Sequence, residues 1–171
     1  MTYNIHPIFV HFPIALLMVY SIIKILPLQR FFPAVAWKHI ERVLLFLGVL
    51  GAFVSLWTGE IAEHLTRPNH DLVEAHSMFA TIATWTYALL LIGEISSMIL
   101  PWINLKLKST QILKTITFIK DLLNHKILST TLTIIGLIAI SLTGLLGGVM
   151  VYGTSADPIA GIVLNILGIS F

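Results

Sequence analysis

Apolar residues run through this chain in four long blocks, and polar residues collect between them. The blocks cover about residues 7–28, 40–63, 72–100 and 127–152. A helix needs about 20 apolar residues to cross roughly 30 Å of hydrocarbon, and each block is long enough. Pro7 suits a first helical turn, where its missing N–H would lack a partner anyway. Pro13 should bend the first helix a little further in. Pro101 should stop the third, and the turn-rich TRPNHD should separate the second from the third.

A fifth stretch, about residues 105–126, has a different pattern. Ile112, Ile116, Ile119 and Leu123 recur at helical spacing, with lysines around the rest of the helix. That predicts a basic amphipathic helix lying on the membrane surface in contact with anionic lipid, not a fifth span. The apolar tail, residues 159–171, is too short to span. It should rest on the interface or pack on the spans.

Composition agrees. Of 171 residues, 57% are hydrophobic and 11% charged, with mean hydropathy +0.93. A soluble domain carries about a quarter charged residues. The expected fold is therefore all-α: an integral membrane four-helix up-down bundle with an additional cytoplasmic interfacial amphipathic helix. Residues 1–171 form a single transmembrane domain, with no internal repeat of about 20–50 residues. Cysteine is absent, which excludes disulfides, iron–sulfur clusters and thiol nucleophiles. No nucleophile–base pair or phosphate loop is present, which argues against a hydrolase or kinase. No nucleic-acid partner is expected. A homo- or hetero-oligomer is compatible with the sequence.

The charges orient the chain. Lys24, Arg30, Lys38 and Arg42 lie in or beside the first connection, and Lys106, Lys108, Lys114, Lys120 and Lys126 in the third. The second holds Arg67 and Asp71, flanked by Glu60, Glu63 and Glu74. By the positive-inside rule the two basic connections are cytoplasmic, and both termini are periplasmic at a bacterial inner membrane. The first block lacks a basic start and a small-residue cleavage site, so it reads as a span and not a signal peptide.

Five of the seven histidines then gather at the outer side: His6, His11, His64, His70 and His76. His39 and His125 fall in the basic connections. His11 lies roughly 6 Å below Pro7 and His76 roughly 6 Å below Leu72, so their depths match. Spans one and three are diagonal in an up-down bundle. Two opposed imidazoles at one depth suit bis-axial binding of haem b. Gly144, Gly147 and Gly148 share a face of span four at that level and leave room for a flat ligand. His64 is a substitute ligand. Electrons would pass between the quinone pool and a periplasmic redox partner.

The carboxylates keep a second reading open. Glu60, Glu63 and His64 share a helical face. With His11 and His76 they can bind a divalent metal such as zinc, iron or manganese without a porphyrin. No intact Glu-x-x-His is present, so a di-metal site is poorly matched. A third reading is a cofactor-free structural or assembly subunit of a membrane complex. Near the other membrane face, Lys24 and Glu94 are close enough in depth for an ion pair. The alternative there is a proton path or quinone contact. Trp37 and Trp102 sit at helix ends as interface anchors.

The stretches HPIFVHFPIALL, TGEIAEH, EAHSMFA and GLLGGVMVYG fall in the four spans in order, and together they resemble the DUF2231 family of predicted bacterial four-span membrane proteins. The resemblance implies His6, Pro7, His11, Phe12 and Pro13 as motif positions, followed by Glu60 or Glu63, His76, Gly147, Gly148 and Tyr152. Many relatives carry a further histidine after the VY pair, where this chain has Gly153 and Thr154. The family name carries no activity.

Overall fold

The computed structural model describes residues 5–66, 69–106 and 110–169. Arg67 and Lys108, two charges of the topology argument, lie outside them. Among the described residues every regular element is helical: α1 (His6–Ile25), α2 (Leu28–Phe31), α3 (Trp37–Thr66), α4 (His70–Lys106), α5 (Thr110–Leu123), α6 (Lys126–Tyr152) and α7 (Ala160–Leu167), with a 3-10 turn at Thr154–Ala156. Four are long and apolar enough to cross a membrane: α1, α3, α4 and α6.

Most of the helix ends follow from the sequence. Pro7 sits in the first turn of α1, and the helix ends two residues before Pro27. Pro13 lies buried inside a continuous helix, against Gly51 of α3, where an added Cβ would come within 3.3 Å. Pro101 does not stop α4, contrary to the sequence expectation. Helix α5 runs back along this part of α4, and packing there outweighs the local preference to break. Leu123 sits so close to Gly93 that an added Cβ would come within 2.9 Å. The Asn124 amide donates to the Gly93 carbonyl (2.9 Å), the Ser97 hydroxyl (3.1 Å) and the Lys120 carbonyl (2.9 Å).

The long helices pair as α1 with α3 and α4 with α6, and the pairs meet along two similar seams, α3 on α4 and α1 on α6. Small residues line the contacts, among them Gly48, Gly51, Ala52, Ala83, Ala88, Gly136 and Ala139. They let backbones approach where apolar burial gives little drive between helices in lipid. At mid-height Tyr20 and Tyr87 are fully buried, edge to face at 6.1 Å. The Tyr87 hydroxyl donates to Ser21 (2.7 Å), whose own hydroxyl donates to the Leu17 carbonyl (2.8 Å). Gly136 leaves the space for the Tyr87 ring: a Cβ there would lie 2.9 Å from Cζ. Gly136→Ala is therefore expected to destabilise by about 1–3 kcal/mol, as overpacking does. Thermal unfolding in detergent checks this, and an unchanged midpoint contradicts it.

The tail packs on the helices. Ala160 and Leu164 of α7 join Leu72, Leu146 and Val149 in a second apolar cluster. Helix α7 closes on Gly168 at φ 69°, with Ile169 N–H bonded to Leu164 O and Gly168 N–H to Asn165 O. This left-handed cap favours glycine.

Candidate functional site

The buried stripe of α1 decides which histidine points inward. Pro13, Leu17, Tyr20 and Ser21 are buried, and His6 and Val10 continue that stripe toward the start of the helix. His11 lies five residues from His6, about 140° around the helix. It is exposed, and its Nδ1–H donates to the Pro7 carbonyl of its own helix at 2.7 Å.

His6 instead reaches α3. Its Nδ1–H donates to the Thr58 hydroxyl at 3.0 Å, and Thr58 in turn donates to the Ser55 carbonyl at 3.2 Å. The ring rests on Gly59, where a Cβ would come within 3.2 Å of Cε1. His76 on α4 repeats the arrangement against α6. Its Nδ1–H donates to the Thr143 carbonyl at 3.0 Å, and a Cβ at Gly147 would come within 3.2 Å of its Cε1. Helices α1 and α4 each pack on α3 and α6, so they stand diagonally. Each helix pair thus contributes one histidine, anchored through Nδ1 and seated on a glycine of its neighbour. In that tautomer Nε2 carries the lone pair of each ring, the form in which imidazole serves as a metal ligand.

The other expected site residues divide. Gly147 packs under His76, as described. A Cβ at Gly144 would meet only Ile14 Cδ1, at 3.9 Å, and one at Gly148 nothing within 4 Å, so this face of α6 has room. The Ser55 hydroxyl, one turn from Thr58, is buried with no hydrogen-bond partner. Glu60, Glu63 and His64 are exposed. Glu63 lines a hollow of about 300 Å³ with His70, Val73, Glu74 and Ser77. His70 Nδ1 is 3.9 Å from both Asp71 and Glu74, too far for a hydrogen bond. Among the described residues no three of the His, Asp and Glu side chains gather as a metal-holding group. Sequence depth made His11 the ligand, left His6 at the interface as an outer partner or proton-handling group, and did not single out Thr58. The helical phase of the α1 stripe is the signal that finds His6.

At the opposite end the ion pair expected between Lys24 and Glu94 is partnered differently. Glu94, with its side chain 4% exposed, is held by Lys38 and, at 3.2 Å, by Arg42, both on α3. Lys24 pairs with the buried Glu41 at 3.6 Å. All the carboxylates and cations of this cluster are engaged, which suits a structural lock between α1, α3 and α4.

No family model, no curated protein and no solved structure matches this chain.

Proposed function

We propose that the chain is a small membrane b-type cytochrome, with haem b held between His6 and His76. The four long helices form an up-down bundle in the bacterial inner membrane, and α5 is its cytoplasmic amphipathic helix. The basic connections lie inside and the histidine end faces the periplasm. One observation carries the reading: two diagonal imidazoles, each fixed through Nδ1 by the neighbouring helix.

The residues present suit the group. Haem iron can be held by two protein ligands, whereas a bare zinc ion takes three or four. Two anchored imidazoles answer the first need, and among the described residues no three-donor group answers the second. Thr58 and the Thr143 carbonyl would fix ring orientation and tautomer, the usual work of outer partners. Gly147 keeps the His76 ring close to α6, and Gly144 and Gly148 leave space beside it. The orphaned Ser55 hydroxyl offers a polar contact below His6. Haem, when bound, supplies one-electron chemistry. Held by a histidine from each helix pair, the group would suit electron transfer better than ligand activation. The quinone pool is then the membrane-side donor or acceptor, and a periplasmic redox protein the other. The likeness to DUF2231 proteins accompanies this reading and adds no activity.

Purified protein from haem-replete cells should show a Soret band, with sharp α and β bands on dithionite reduction. Colourless protein that also binds no added haemin overturns the proposal. Colourless protein with stoichiometric metal would favour the bare-ion reading, and cofactor-free protein stable only with a partner the structural one. Thr58→Val removes the hydroxyl that holds His6 and should weaken haem retention about 10–100-fold, as loss of an outer partner does. Haem titration of the apoprotein reads this, and unchanged affinity contradicts it.

A further inference from the structure

We propose that the hairpin made by the end of α4 with α5 is a docking surface for anionic lipid headgroups. This goes beyond the haem reading and does not depend on it. The hairpin is fixed in place: Asn124 ties the end of α5 to Gly93 and Ser97, and Leu123 abuts Gly93. The outward apolar stripe of α4 passes without a break from Trp85 and Leu89 through Ile92 to Met98, Ile99 and Trp102, all exposed. A lipid-facing stripe therefore runs beyond the level of Glu94 and ends on a tryptophan, the residue that favours the headgroup layer. On α5 the exposed apolar side chains are Ile112, Phe118 and Leu122. They fall within about 120° of one another around that helix.

Charge names the occupant. Residues 105–126 hold five lysines against one acid, Asp121, which is paired with Lys120 at 2.8 Å. The first connection brings Arg30 and the exposed Phe31 and Phe32 to the same end of the molecule. Apolar side chains bordered by cations match an anionic leaflet, which attracts lysines near its surface. A water-facing hairpin would leave Phe118, 65% exposed, with no cover.

The chain has no cysteine, so Phe118→Cys gives a unique attachment point for a nitroxide. Full-length protein is placed in nanodiscs of phosphatidylcholine alone or mixed with phosphatidylglycerol. Electron paramagnetic resonance then compares accessibility to oxygen with accessibility to a water-soluble nickel chelate. The oxygen-to-nickel ratio should rise at least about twofold with phosphatidylglycerol, and Lys114→Gln should shrink that rise. A nickel-accessible label in both lipids overturns the proposal, since the hairpin then stands in water. A label shielded from both reagents also overturns it, because protein then covers the face. Equal oxygen access in both lipids removes the preference for anionic headgroups and overturns it too.

Discussion

Glu94→Ala is expected to destabilise the protein by about 3 kcal/mol, the lower part of the range for removing one partner from a buried ion pair. Glu94 is the buried member, and Lys38 and Arg42 converge on it from α3. Without it two cations at the α3–α4 seam lose their carboxylate. Both reach solvent in part, with side chains 46% and 30% exposed, which tempers the loss. For a chain of this size that corresponds to a fall in Tm on the order of 10 °C. Glu94→Gln keeps the shape and an acceptor and should fall less. Thermal unfolding in detergent decides. A Tm within about 2 °C of the parent for Glu94→Ala would show that the cluster does not lock the helices.

His76→Ala is expected to abolish haem binding. It removes a side chain proposed to hold the haem and the N–H that meets the Thr143 carbonyl, and it leaves a gap over Gly147. Loss of a ligand should cost at least as much as loss of an outer partner, which weakens binding about 10–100-fold. His76→Met should retain haem and raise its reduction potential, because thioether ligation favours the reduced iron. A purely structural histidine would give no such shift. Absorbance spectra and redox titration of the two variants test this, and an unaltered spectrum in His76→Ala contradicts it.

Much of the fold was legible because hydrophobic length is a coarse, strong signal. Four blocks announced α1, α3, α4 and α6 within a few residues, and the spacing of Ile112, Ile116, Ile119 and Leu123 announced α5. The errors arose where tertiary contacts override local chemistry. Pro101 reads as a stop, yet α4 continues to Lys106 alongside α5. Nothing local in the sequence says that Lys38 and Arg42, not Lys24, will meet Glu94. Depth and spacing put His76 and Gly147 at one level, and the structure brings them into contact. His11 was chosen on depth alone. Depth fixes a residue's level along a helix but not the face it occupies. Counting in fours and threes back from Leu17 through Pro13 and Val10 reaches His6 and leaves His11 outside.

In the proposed haem site His6, and not His11, is the partner of His76. Haem content and the reduced-minus-oxidised spectrum of purified His6→Ala and His11→Ala, measured side by side with the parent, test it most directly. His6→Ala should lose the haem or its low-spin bands while His11→Ala keeps both. Loss in His11→Ala with retention in His6→Ala would contradict it.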